Sequence, residues 1–333
     1  MFIIHSYPLA VVFCFITMLC WGSWANSQKL VSGRWRYEYF YWDYVIGVLL
    51  LSLIFALTLG SFGHEGRSFI PDLLQASRSS ISNAFIGGVV FNASNILLST
   101  AIAICGMSVA FPVGVGIALI LGVIVNYFGA AKGDPVYIFA GVLLISIAIV
   151  LNGLAYKKKQ SGAGNLSAKG LIISVMAGVI MAFFYRFVAA SMDISDFTYP
   201  APGKMTPYTA VFVFSIGVFI SNFLFNGIAM KHPVQGEPAP LSGYFKGSCR
   251  THMVGILGGT VWCIGEAFSM IASEKAGPAI SYGLGQGATL VSAIWGIFVW
   301  KEFRSAPRIS VRLNAGMFVL FIIGLVLLIY AGA

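Results

Sequence analysis

Ten stretches of the chain stay apolar for about 20 residues at a time and are almost free of charge. They cover about 7–26, 42–60, 81–104, 107–129, 136–155, 170–190, 208–229, 250–273, 277–300 and 313–332. A hydrocarbon core of about 30 Å takes about 20 helical residues to cross, so each stretch predicts one spanning helix. A membrane β-barrel would instead need short segments in which apolar and polar residues alternate. Runs such as Tyr137 to Leu151 do not alternate, and the pattern predicts an all-α membrane protein. Residues 1–6 hold no Lys or Arg, so the basic start of a cleavable signal is missing and the first helix is expected to be retained.

Composition agrees with the pattern. Of 333 residues, 58% are hydrophobic and 9% charged, against about 25% charged in soluble domains. A soluble enzyme and a single-anchor receptor are both excluded. A net charge of +9 would suggest nucleic acid in a soluble protein, but here it records topology. Alternate links, starting with the first, hold Lys29, Arg34, Arg36, Lys157, Lys158, Lys159, Lys169, Lys231, Lys246, Arg250, Lys301, Arg304, Arg308 and Arg312. The other side holds Arg67, Arg78, Lys132, Lys204 and Lys275. This bias predicts a cell (inner) membrane protein with the first set in the cytoplasm and both termini extracytoplasmic. Five cysteines lack C-x-x-C spacing and four histidines lack the i, i+4 spacing of a metal pair, so neither metal chemistry nor an enzyme site is expected.

Shifting the chain by 171 residues overlays helices 3 and 4 on helices 8 and 9. Gly87 and Gly88 fall on Gly258 and Gly259, Gly106 on Gly277, Phe111 on Tyr282, Gly114 on Gly285 and Gly116 on Gly287. The repeat unit is five helices, residues 1–155 and 170–333, split at the basic linker 156–169. An odd number of spans inverts the second copy, so the expected fold is two inverted five-helix repeats. Such repeats house a substrate site near the midplane and rock around it, an alternating-access arrangement.

Polar groups at membrane depth mark where that site lies. Glu266 is about 16 residues into helix 8, with no charge between it and Arg250. It is the candidate ion-coupling group; the alternative is a structural carboxylate tied to a neighbouring helix or to Arg186. Trp262 lies one turn earlier on the same face. The repeat-mate of Glu266 is Asn95, with Asn92 one turn before it. These amides suit a neutral polar solute, or else helix-to-helix hydrogen bonding. In helix 1, Trp21 falls deep enough to line a cavity, and Trp24 is either cavity floor or interfacial anchor. Tyr37, Tyr39, Tyr41 and Trp42 are expected to anchor the membrane interface. Tyr185 and Arg186 are a possible gate or charge partner; Arg186 alternatively binds an anion or snorkels outward. Gln286 joins the substrate-binding candidates, with Asn222 and Asn226 behind it. Lys301 and Glu302 read as a cytoplasmic helix-end pair, and Asp193 and Asp196 as solvated loop residues.

Ten spans in two inverted halves resemble the drug/metabolite transporter superfamily. Tyr41-Trp42-Asp43-Tyr44 leading to Ala56-Leu57-Thr58-Leu59-Gly60 resembles the ureide permease family, as do Ala84-Phe85-Ile86-Gly87-Gly88-Val89-Val90 and Val125-Asn126-Tyr127-Phe128. So do Tyr208-Thr209-Ala210 and Phe298-Val299-Trp300-Lys301-Glu302-Phe303-Arg304. The Trp-Gly-Ser and Gly-Gly segments are similar to those of glucose/ribose and rhamnose uptake families. The resemblance implies import of a small polar metabolite, ureide, nucleobase-like or sugar, driven by an ion gradient. Plant members carry a long central loop with a nucleotide-loop-like motif; here the linker is short and lacks it.

The expectation is a secondary active transporter importing a small neutral solute. A proton, ahead of sodium, is the coupling ion, and no cofactor is expected. Its partners are the solute and the lipid bilayer, without nucleic acid, as a monomer or homodimer. The rival readings are an exporter on the same fold and a membrane enzyme or scaffold without transport.

Overall fold

The computed structural model describes residues 1–31, 35–105, 107–159, 167–233, 237–304 and 306–333, and no side-chain contacts are considered for 107–109 or 111. Arg34, Gly106 and most of the central linker, all used in the sequence reading, therefore lie outside the described residues, as does the Phe111 side chain. Among the described residues every regular element is helical, and ten spans are long and apolar enough to cross a membrane. The spanning helices are α1 (Tyr7–Ser23), α2 (Tyr37–Leu57), α3 (Arg78–Cys105), α4 (Met107–Gly129) and α5 (Pro135–Lys159). They continue with α6 (Ala168–Ser191), α7 (Pro207–Lys231) and α8 (Cys249–Ala276). Next come α9 (spanning Pro278–Val299) and α10 (Arg308–Tyr330). Short helices Asn26–Val31, Phe69–Gln75 and Leu241–Tyr244 lie in the links.

The helix starts are written in the sequence. Pro135, Pro207 and Pro278 open α5, α7 and α9, where a missing N–H costs nothing. Ser167 and Ser248 cap α6 and α8, accepting from the backbone N–H groups of Gly170 and Thr251. Gly277, at φ 82°, reverses the chain between α8 and α9 in a conformation that side chains disfavour.

The sequence pattern reads 277–300 as one helix, but α9 is interrupted. Pro278–Gly285 ends at Gln286, Ala288–Ile294 resumes, and Trp295–Val299 finishes as a π-helical turn. At Gly287, Thr289 and Leu290 the amide N–H reaches back three residues instead of four. A run of three glycines in five positions gives this segment little reason to stay regular.

The most extensive helix contacts join helices from opposite halves of the chain: α3 with α6 and α7, α4 with α6, α5 with α10, and α8 with α1 and α2. Two crossings repeat at the sequence offset. A Cβ on Gly88 of α3 would be driven into the carbonyl oxygen of Phe214 on α7; one on Gly259 of α8 would be driven into that of Tyr44 on α2. In return, Gly217 of α7 faces the Phe85 carbonyl and Gly47 of α2 faces that of Ile256. The matching positions are 170 or 171 residues apart, which is consistent with the expected inverted repeat.

The ends of the bundle are tied differently. On the face away from the basic links, Asp72 is buried and accepts from Arg67 Nε at 3.0 Å and from Thr206 N and Oγ1 at 2.8 and 3.0 Å. On the basic face, Glu302 accepts from Lys29 Nζ and from Tyr156 OH, each at 2.9 Å. Glu302 therefore joins the short helix Asn26–Val31 and α5 to the α9–α10 link and is not paired with Lys301, as the helix-end reading had it. Its side chain finds a nearer cation across the fold than along the chain.

Candidate functional site

A cavity of about 140 Å³ opens within the bundle. Helices α1, α3, α6, α8 and α9 all contribute, and α4 adds Gly114, Val115 and Ala118. Of the expected residues, Trp21, Trp24, Asn95, Trp262 and Gln286 face this space together.

Its walls are aromatic because small residues leave room for the rings. A Cβ on Gly265 would stand 2.7 Å from Trp21 Cδ1, and one on Gly285 would stand 2.8 Å from Trp21 Cζ3. The indole of Trp21 is thus seated between α8 and α9. It lies nearly parallel to Trp262, with 10° between planes and 6.0 Å between centroids. Trp262 is held from behind by Phe91 at 4.4 Å and Phe214 at 6.0 Å. Trp24 packs against Tyr44 at 4.7 Å, so it belongs to the cavity wall.

Polar groups are few. Asn95 donates from Nδ2 to Tyr41 OH at 3.1 Å, and Gln286 projects from the break in α9. Asn92 takes the helix-to-helix role that the sequence left open beside solute binding. It is fully buried, accepts from Tyr41 OH at 2.8 Å and donates to Ser221 Oγ at 2.9 Å. It ties α3 to α2 and α7 and is absent from the cavity wall. Tyr39, Tyr41 and Trp42 correct the sequence expectation: they are buried in the bundle, not set at a membrane interface. Their polar tips meet Pro240 O, Asn92 Oδ1 and Met230 Sδ, partners that sequence proximity does not reveal. Of the second-rank amides, Asn226 donates to Glu38 O, while neither end of the buried Asn222 amide has a partner among the described residues.

Glu266 lies one turn beyond Trp262, toward the face opposite the basic links. It is fully buried, and neither carboxylate oxygen has a hydrogen-bond partner among the described residues. The Tyr44 hydroxyl and the Trp21 indole N–H are buried and unpartnered as well. Thr17 Oγ1 donates to Gly265 O at 2.8 Å, fixing α1 against α8 at this height. A buried ionised carboxylate without a donor or cation is strongly disfavoured, so the group calls for a proton or a visiting partner. Arg186 does not supply that partner. Its guanidinium lies against Gly129 at the end of α4, and among the described residues no ion pair reaches Glu266. Tyr185 is behind the cavity wall, fully buried, sharing a 2.9 Å hydrogen bond with Ser269 Oγ.

Sequence reasoning passed over Asp43. This α2 carboxylate is buried near the basic face and accepts from Trp35 Nε1 at 3.1 Å and Tyr244 OH at 2.6 Å, with His252 Nδ1 at 2.8 Å. Its place inside a predicted span was the available signal. Beyond the spans, Glu302 is partly buried, which works against its charge. Hydrogen bonds from Lys29 and Tyr156 and the nearby Lys29 and Lys159 charges nonetheless hold its carboxyl below the usual glutamate range. Asp193 and Asp196 are not simply solvated; they accept backbone N–H bonds that order the α6–α7 link.

Comparison with known proteins places the chain in context. The profile of the ureide permease family matches residues 40–164 and 154–331. Ureide permease 1 of Arabidopsis thaliana is 25% identical over 383 aligned positions, covering 98% of both chains. That alignment is longer than this chain, so the plant protein carries insertions relative to it. A probable glucose uptake protein of Priestia megaterium is 24% identical over 294 positions, covering 86% of both. A solved crystal structure superposes with a TM-score of 0.60 over 97% of this chain and 98% of that one, at 14% identity. It shares the fold, and at that identity no more is carried across.

Proposed function

The chain belongs to the ureide permease family, a family of integral membrane transporters, and from that premise we propose that it is a proton-coupled importer. Its solute is a small neutral polar metabolite, taken up by alternating access around the cavity beneath Trp262. The observation that carries this reading is Glu266: a buried carboxylate with no partner among the described residues, one helical turn from a cavity wall. The inverted arrangement expected from the 171-residue offset supplies the rocking halves.

In this reading a flat solute packs against the Trp21 and Trp262 indoles, while the amides of Asn95 and Gln286 bond its edge. Ring surfaces with two neutral amides favour a ureide or nucleobase-like compound over a sugar, because stacking rewards planarity. No cation lines the cavity, so an anionic solute would go uncompensated. Uptake begins at the extracytoplasmic face, where both termini lie in this reading. Glu266 takes up a proton and solute binds interdependently with it, so that protonation biases which face is open.

The test is Glu266→Gln in proteoliposomes, with allantoin, uracil and glucose as probes. Loss of uptake driven by a proton gradient, with counterflow of the same probe retained, is the expected outcome. Unchanged pH dependence of uptake in the variant would sink the coupling role. Loading of inside-out vesicles on a pH gradient would favour export instead.

A further inference from the structure

Between Glu266 and the face opposite the basic links, buried hydroxyls form a line along α8. On α8, Ser269 and Ser273 follow Glu266 on its buried side, and Glu274 ends the line. Eight residues of helix span about 12 Å. From α6, Tyr185 OH shares a hydrogen bond with Ser269 Oγ at 2.9 Å and also donates to Ser269 O at 3.1 Å. From α9, Ser281 is fully buried with its hydroxyl unpartnered among the described residues. Glu274 is buried too: one carboxylate oxygen accepts from Lys275 at 2.6 Å and the other has no partner among the described residues. Lys132 donates to the Glu274 carbonyl.

Buried hydroxyls usually close a bond to their own helix. Here a tyrosine from another helix points to one, while two carboxylates with unpartnered oxygens bracket the set. Residues three apart on one helix face have Cβ atoms about 5–6 Å apart, so Glu266 and Ser269 are neighbours. Tyr185 also lies within range of the Glu266 charge. The other ionisable side chains facing Glu266 are Tyr44 from α2, Cys263 from α8 and Tyr282 from α9. None of these is a carboxylic acid or a base with ordinary affinity for protons near neutrality. The Tyr185–Ser269 pair therefore offers a proton from that face a hydroxyl-lined approach to Glu266.

We infer that the Tyr185–Ser269 hydroxyl pair is the last stage of a proton route from Glu274 to Glu266. The inference rests on Glu266 being the coupling acid. In the step, an incoming proton binds a lone pair of the outer hydroxyl while that group releases its own proton inward. Each hydroxyl is regenerated, the carboxylate becomes a carboxylic acid, and no electrons change hands. Tyr185 and Ser269 are positioning residues for the proton and do not touch the solute.

The experiment needs no known substrate. Trp262 is four residues before Glu266, so protonation of that carboxylate changes its indole fluorescence. Full-length protein in proteoliposomes is given an external pH jump, and orientation is scored by labelling exposed Cys249, on the basic face, with a membrane-impermeant maleimide. The phase assigned to Glu266 is the one that Glu266→Gln removes. In Tyr185→Phe/Ser269→Ala, the molecules presenting the face opposite Cys249 should show this phase with full amplitude but slowed about 100-fold, the lower end of what positioned proton-transfer groups contribute. Ser269→Thr keeps a hydroxyl and should keep the rate; each single variant serves if the double variant does not fold. An unchanged rate overturns the route and leaves the coupling role standing. Absence of any phase removed by Glu266→Gln overturns both.

Discussion

Helices α3 and α8 occupy matching places in the two halves, yet they carry opposite chemistry at matching positions. Each crosses a helix of the other half on a glycine, Gly88 at Phe214 and Gly259 at Tyr44. Seven residues further along, α3 presents Asn95 and α8 presents Glu266. On α3 the polar groups are tied to neighbours: Tyr41 links Asn92 and Asn95, and Ser221 accepts from Asn92. On α8 the carboxylate has no partner among the described residues. The backbone saddle is the shared part and the polar residue is the variable one. A neutral, hydrogen-bonded network stabilises packing, whereas an acid at the same height with no partner among the described residues is open to exchange.

The comparison can be broken at its chemical end first. Glu266→Gln makes α8 resemble α3, and proton-driven uptake is expected to fall by about 100-fold or more with counterflow kept. Its packing counterpart is a valine at either saddle. Gly88→Val and Gly259→Val should each lower stability by about 1–3 kcal/mol or more, read as loss of detergent-resistant folded protein on heating. A large loss at one saddle alone would mean the halves are not mechanically equivalent.

Within α3 the two amides should separate. Asn92→Ala strands Tyr41 and Ser221 and is expected to cost about 1–3 kcal/mol of stability. Asn95→Ala should instead reduce the thermal shift produced by a bound ureide or nucleobase, with a smaller effect on the free protein. The smallest effect belongs to the basic face. Because the Glu302 carboxyl is held below its ordinary value, its contact with Lys29 contributes stability above the unfolded range of about 4.3. That contribution is lost as pH falls through the lower folded value. Glu302→Gln should therefore flatten the acid limb of a thermal-stability profile by a small amount, the pair being partly exposed.

Much of this was legible before any coordinates. Ten spans follow from apolar length alone, and the glycine offset foreshadows both saddles. Trp21, Trp262 and Glu266 stood out because large rings and a carboxylate are rare at that depth. What escaped were partners distant in the chain. Asn92 meets Tyr41 across 51 residues, and Asp43 meets His252 across 209. Neither pairing leaves a mark in local periodicity. The contribution of α4 was nearly as silent, because Gly114 was marked only by its match to Gly285, and Val115 and Ala118 look like lipid-facing residues until the fold turns them inward.

The crossings between halves have a consequence for assembly. Every saddle takes one helix from each half, so neither half can bury its own glycine faces. A chain severed in its central linker should still associate if both fragments are synthesised together, whereas either fragment alone would present grooved helices to lipid with nothing to fill them. Such a protein completes its tertiary structure only after its last helices arrive, and during synthesis its first five are partners in waiting.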